Sequence, residues 1–266
     1  MWGTRIHYDS EGFLIDSHAH LAMFPEHERH AALERATEAG VQAVLVPATG
    51  REDLEVVAEL GALGEGRIFA ALGFHPHEAV RCDAAWKRRL ERLLESSGVV
   101  AVGEIGLDYH YDHSPREDQR VVFAWQLSLA RERDLPVVLH HREAWDDFLS
   151  ALDAVPGLRG VAHSFTEGEA GAAEVTRRGL FVGISGMVTF PRAENIREAA
   201  RAVPTGRLLV ETDSPYLAPV PHRGTRNEPA YVTLVAEALA RVREVDLEEI
   251  EAKTDAAFRE LFNGPR

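Results

Sequence analysis

Residues 99–104 read Val-Val-Ala-Val-Gly-Glu, and residues 135–140 read Leu-Pro-Val-Val-Leu-His. Both are apolar on consecutive positions instead of alternating ones, and both end in a residue able to bind a metal or a proton. A strand apolar on both faces is buried on both faces, as in a parallel sheet covered by helices. The pattern repeats outward in both directions. Strands are expected at Phe13–Asp16, Gln42–Pro47, Ile68–Gly73, Val99–Glu104, Pro136–His140, Gly160–His163, Leu180–Gly183 and Leu208–Glu211. Charged stretches of helical period separate them, at 26–39, 51–62, 84–95, 116–133, 142–154, 168–178 and 193–202. Two further helices are expected at 228–243 and 246–262. Gly40, Gly98, Gly157 and Gly179 fall where four of the helices should stop. Eight strand–helix pairs match an α/β fold of the (β/α)8 TIM-barrel type, with extra C-terminal helices. The expected organisation is a single barrel domain at 13–266 behind an N-terminal extension at 1–12. A doubly wound open sheet is the alternative, but no glycine-rich phosphate loop opens any helix.

Composition narrows the function classes. Over 266 residues, 45% are hydrophobic, enough for a full core and too many for a disordered chain. The formal charge of −14 argues against a protein that coats nucleic acid, while leaving room for a local basic patch. Cys82 is the only cysteine, so the chain has no disulfide partner within itself and no thiolate cluster. The apolar runs are strand-sized, and the first residues lack the apolar core of a secretory signal. A cytoplasmic protein without a membrane partner is therefore expected.

The polar residues carry the functional signal. The first strand ends Asp16-Ser17-His18-Ala19-His20, and the third leads into His75-Pro76-His77. The fourth, fifth and sixth end in Glu104, His140 and His163, and the eighth in Glu211-Thr212-Asp213. In a parallel barrel the C-terminal strand ends share one mouth, where active sites form. His18 and His20 are two apart, which in extended chain puts both imidazoles on one face, suited to chelation through neutral nitrogens. Joined there by Glu104, His140, His163 and Asp213, they form a candidate metal cluster. His75 and His77 reach the same mouth and are candidates for substrate contact. His110 and His113 lie in a polar loop near it. His141 should point to the opposite strand face from His140 and pack behind the mouth. His27 and His30 sit on a charged helix.

The segments DSHAHL, GFHPHEA, VGEIGLDYH, PVVLHHREA, AHSF, ETDSPYLAP and HRGTRNEP, in that order from about residue 14 to 231, resemble the successive signature blocks of the TatD-family metal-dependent hydrolases. That family is a branch of the amidohydrolase-like TIM barrels and is commonly described as deoxyribonucleases. The resemblance implies two divalent ions. One would be held by His18, His20, Glu104 and Asp213, and the other by His140 and His163 with Glu104 bridging. A carboxylate has two oxygens for such a bridge, whereas a neutral imidazole has one acceptor nitrogen. Among Zn, Mn, Mg, Fe and Ni, donor chemistry suits Mg least, since Mg prefers oxygen ligands.

The implied activity is phosphodiester hydrolysis by a metal-activated water, as a DNase of the 3′–5′ exonuclease type acting on DNA ends. Glu104 and Asp213 would be the catalytic carboxylates, with Asp213 a candidate proton acceptor or a ligand alone. Arg142 and Arg223 would bind phosphate, while Arg226 could instead tie down the last helices through Glu228. Asp16 and Asp108 would orient histidines or brace arginines. The same metal site also serves an amidohydrolase-type esterase or deacylase acting on a lactone or an aminoacyl ester. A non-enzymatic scaffold is disfavoured by the intact set of six.

Overall fold

Runs of consecutive apolar residues do form strands buried on both faces. The computed structural model describes residues 14–262; the expected extension at 1–12, with His7, and Phe13 of the first expected strand lie outside them. Eight parallel strands follow one another around the sheet in chain order. They are β1 (Leu14–Asp16), β2 (Val41–Pro47), β3 (Ile68–Leu72), β4 (Val99–Asp108), β5 (Val137–Arg142), β6 (Gly160–Ala162), β7 (Phe181–Ile184) and β8 (Leu208–Val210). The helices are α1 (Glu26–Glu38), α2 (Leu54–Leu63), α3 (Ala84–Leu93), α4 (Arg116–Glu132), α5 (Trp145–Asp153), α6 (Gly168–Arg177), α7 (Glu194–Ala202), α8 (Val232–Arg243) and α9 (Leu247–Phe262). The expected α/β TIM barrel is the observed fold. None of the described helices is long and apolar enough to cross a membrane.

Alternate residues of a strand serve two cores, as the pleat requires. In β3, Ile68, Ala70 and Leu72 join the layer between strands and helices. Phe69 and Ala71 join a second cluster that includes Ile15, Val138, Val161 and Leu209. Phe258, Leu261 and Phe262 of α9 belong to that second cluster. Its strand members lie largely at the first or second residue of each strand, so α9 covers the N-terminal end of the barrel with apolar side chains. The opposite end is left for polar ones. Two of the four expected glycines end helices, Gly40 after α1 with φ of 88° and Gly179 after α6 with φ of 80°. Gly98 and Gly157, with φ of 78° and 80°, lie instead in the turns beyond α3 and α5, whose C-caps are Leu94 and Ala154.

The seam between β8 and β1 closes just beyond the strands themselves. Ser17 N–H donates to Val210 O at 3.0 Å, Asp213 N–H to His18 O at 2.8 Å, and His20 N–H to Ser214 O at 2.7 Å. The residues that close the barrel thus also carry His18, His20 and Asp213.

Several boundaries differ from expectation. β4 continues four residues past Glu104, and β5 two past His140. Between Val102↔Val137 and Ile105↔Leu139, three steps of β4 oppose two of β5. Such a bulge re-aims a side chain without ending the strand, and Glu104 sits inside it. Arg142 is therefore a strand residue, and α5 starts later, at Trp145. α2 starts at Leu54 because the Asp53 carboxylate accepts the N–H groups of Thr49 and Gly50, at 3.0 Å each, and holds 49–53 as a turn.

Gly106 lets β4 and β5 approach beyond the bulge. A Cβ there would lie 1.8 Å from His140 O, and φ is +156°. Gly106→Ala is expected to cost about 3 kcal/mol or more, as overpacking against backbone does. Gly206→Ala is the control, since a Cβ there meets nothing within 4 Å. Urea unfolding midpoints check the pair; equal midpoints would contradict the assignment of Gly106 to a tight strand approach.

Candidate metal centre at the barrel mouth

Glu104, delivered by the bulge of β4, is buried and faces two separate sets of donors. Its Oε2 lies 3.3 Å from His18 Nε2 and 3.6 Å from His20 Nε2. These two nitrogens are 3.3 Å apart, and Asp213 Oδ1 is 3.9 Å from the first and 3.5 Å from the second. On the other side, Oε1 lies 3.0 Å from His140 Nδ1 and 2.9 Å from His163 Nε2, themselves 3.3 Å apart. All six residues predicted to converge are thus in one place, drawn from five strand ends.

Donor spacings near 3.3 Å are what a tetrahedral ion with ligands at roughly 2.0–2.1 Å requires. Two facing imidazole nitrogens at that distance repel through their lone pairs unless a proton or a cation lies between them. The outward-facing Nδ1 atoms of His18 and His20 are buried without a hydrogen-bond partner. Neutral imidazoles beside carboxylates form an N/O donor set that fits a divalent transition-type ion. The triads His18–His20–Glu104 and His75–Glu104–His140 each have the compactness to hold a metal.

The buried carboxylates here are held ionised, so their negative charge is balanced by protons on the rings or by a bound cation. Burial pushes the Glu104 carboxyl up, but its interactions with the surrounding histidines, His163 foremost, outweigh it and hold the group well below its ordinary range. Asp213 is likewise pushed up by burial yet held low overall by its bond to His20 and by His163 and His18. Burial, followed by repulsion from His163, lowers His18. Burial opposes charge on His163, but Glu104 raises it well above the usual imidazole value.

The surrounding residues set ring orientations. Asp108 Oδ2 lies 3.2 Å from His140 Nε2 and 3.0 Å from His77 Nε2. With Nε2–H of His140 directed to Asp108, its Nδ1 lone pair is left facing Glu104 and its donor set. Asp108 therefore orients a histidine, as anticipated. Asp16 does something else: it accepts Thr212 N–H at 2.9 Å, Thr212 Oγ–H at 2.6 Å and His18 N–H at 3.2 Å. It ties the end of β1 to the end of β8 through the Thr212 backbone and hydroxyl, and among the described residues its hydrogen bonds reach no histidine ring or arginine. Burial raises its carboxyl to about 8.

Glu211 had no assigned role in the sequence reading, although it lies two residues before Asp213. Its Oε1 accepts Ser164 N–H at 2.5 Å and sits 3.5 Å from His163 Nδ1. Gly183 makes room for it, since a Cβ there would meet Glu211 Oε2 at 2.3 Å.

His75 approaches Glu104 Oε1 to 3.6 Å through Nε2. It caps the short 3-10 turn Pro76–Arg81, its Nδ1 accepting His77 N–H at 3.2 Å. In the neutral ring the proton is then on Nε2, facing the mouth. Burial, reinforced by His140, holds His75 well below the usual imidazole value, hence neutral.

Arg142 and Arg223 are exposed. Arg142 lays its guanidinium over Tyr111 at 4.7 Å, and Arg223 over Phe190 at 4.1 Å. Arg226 pairs with Glu28 of α1, while Glu228 pairs with Arg35, so the suggested Arg226–Glu228 tie is replaced. His141 packs behind the mouth as expected, against Trp145 and Phe148 with ring centres at 5.1 and 5.2 Å. Burial lowers it to about 4. Tyr216, not singled out from sequence, stands edge-on to His20 at 6.2 Å.

The chain is similar to known proteins over nearly its whole length. The family model described as TatD related DNase matches residues 15–263. A Bacillus subtilis protein named uncharacterized metal-dependent hydrolase YabD is 37% identical, with 94% of this chain and 98% of that one covered. The 3′-5′ ssDNA/RNA exonuclease TatD of Erwinia tasmaniensis is 36% identical, with 89% of this chain and 94% of that one covered. Among solved structures, the TatD homolog YJJV of Escherichia coli K12 superposes with a TM-score of 0.88 at 33% identity, covering 95% of this chain and 98% of that one.

Proposed function

Because this chain belongs to the TatD family of metal-dependent hydrolases, we propose that it is a divalent-metal-dependent phosphodiesterase of the 3′–5′ exonuclease type, acting on the ends of single-stranded DNA. The reading assigns the whole barrel, as one domain, to that activity. The observation that carries it is the pair of Glu104 oxygens, each facing its own donor set. His18, His20, Asp213 and Glu104 Oε2 would hold one ion, and His140, His163 and Glu104 Oε1 the other. When bound, such ions make water acidic at neutral pH and neutralise charge on phosphoryl oxygens.

The chain's own residues would divide the remaining work. Asp213, whose side chain is 13% exposed, would take the proton of the attacking water. His75, neutral and with Nε2–H toward the mouth, can donate to a phosphate oxygen. Asp108 holds His77 beside it. Arg142 and Arg223 bring cationic forks to a mouth otherwise rich in carboxylates, and guanidinium matches phosphate geometry. A barrel mouth admits a chain end more readily than a continuous duplex.

The test is product analysis with a 5′-labelled linear single strand and an internally labelled circular one, alongside a panel of lactones and aminoacyl esters. Progressive shortening of the linear strand, none of the circle, and complete loss with chelator are expected. Ester cleavage without phosphodiester cleavage would replace this reading by the esterase or deacylase alternative. Asp108→Asn is expected to weaken metal affinity about 10- to 100-fold by releasing His140, as loss of a ligand-orienting carboxylate does. Metal titration of the variant checks this, and unchanged affinity would remove Asp108 from the account.

A further inference from the structure

Beyond the donor clusters, the loop after β4 carries Tyr111, a residue 50% exposed. The loop is anchored, because Asp108 Oδ1 accepts the N–H groups of His110 and Tyr111 at 3.0 and 2.9 Å. Tyr111 lies edge-on to His77, with ring centres 5.6 Å apart, and parallel to His113 within 2°. His77 shares Asp108 with His140, so Tyr111 is linked through one side chain to the cluster around Glu104.

Arg142, the last residue of β5, rests its guanidinium on the Tyr111 ring. Its sequence neighbour Glu143 is engaged elsewhere, 2.7 Å from His110 Nδ1. Among the described residues Arg142 pairs with no carboxylate, in a chain whose net charge is −14. A planar cation laid on an exposed aromatic ring, with its charge unneutralised, is the chemistry that receives a nucleobase and its phosphate. Bases stack on aromatic and guanidinium planes alike, whatever the base.

We propose that the Tyr111–Arg142 pair seats an unpaired nucleobase next to the bond that is cut, so that single-strand preference resides in this shelf and not in the metal cluster. The proposal rests on the phosphodiesterase reading above. A base inside a duplex has both faces covered by its neighbours and cannot use the shelf, whereas the terminal bases of a single strand can.

The test compares the protein as purified with Tyr111→Ala and Tyr111→Phe. The probes are a short nuclease-resistant phosphorothioate single strand and the same strand with a tetrahydrofuran abasic residue at either of its two 3′-terminal positions. Binding is read by fluorescence anisotropy, and KM and kcat are measured on the phosphodiester versions. The wild-type protein should bind the intact strand about tenfold or more tighter than at least one abasic strand. Tyr111→Ala should bind intact and abasic strands alike, with a rise in KM larger than the fall in kcat. Tyr111→Phe keeps the ring and should restore the discrimination. Equal wild-type binding of intact and abasic strands, or discrimination retained in Tyr111→Ala, would overturn the proposal. Binding discrimination without any cleavage would instead overturn the phosphodiesterase reading and leave the shelf standing.

Discussion

Glu104→Gln is expected to leave the barrel folded while removing metal and lowering turnover on a short single strand by roughly 10³-fold or more. Cations contribute several kcal/mol to such transition states, and each 1.36 kcal/mol is a factor of ten. Glutamine matches the shape but not the charge, and it replaces one acceptor oxygen with an N–H2 donor. That donor must face either His140 Nδ1 and His163 Nε2, now at 3.0 and 2.9 Å from Oε1, or the His18–His20 pair. One donor set therefore loses its anion. The His140–His163 side has no other carboxylate among the six and would keep only two neutral nitrogens. Metal content per chain, measured beside turnover, checks the result; full metal content with normal turnover would contradict it.

Asp213→Asn should behave differently. Its donor set keeps His18, His20 and Glu104 Oε2, so more metal is retained than in Glu104→Gln. Turnover should still fall by a factor on the order of 10² or more, in line with loss of a general base. The two variants are thus separated by metal content, although both are poorly active. Near-normal turnover of Asp213→Asn with its metal bound would make Asp213 a ligand alone. The base would then be sought at His75, at His77 or in solvent.

How much of this was legible in the sequence follows from what each residue depends on. Strand number and order were readable because two-sided burial writes itself as consecutive apolar residues in Val99–Val102 and Val137–Leu139. The convergence of His18, Glu104, His140, His163 and Asp213 was readable because barrel topology gathers strand ends, whatever their separation along the chain. His18 and His20 were readable from their spacing of two. What was not readable depends on local geometry. The bulge that turns Glu104 inward arises from register against β5, which no residue of β4 states by itself. The approach of His75 to Glu104 depends on its capping of a short turn, not on its place after β3. Arg226 met Glu28 instead of Glu228 because the loop after β8 folds back over α1, so sequence proximity misled. Glu211 is buried behind His163 and shows its role only when Gly183 is seen to make room for it.

The most direct test of the central claim, that Glu104 divides two metal sites, is anomalous diffraction from crystals of the metal-loaded protein, recorded at the absorption edge of the metal it carries. The account predicts two anomalous peaks, one beside Glu104 Oε2 among His18, His20 and Asp213, the other beside Oε1 with His140 and His163. A single peak, or two peaks of which neither touches Glu104, would contradict it.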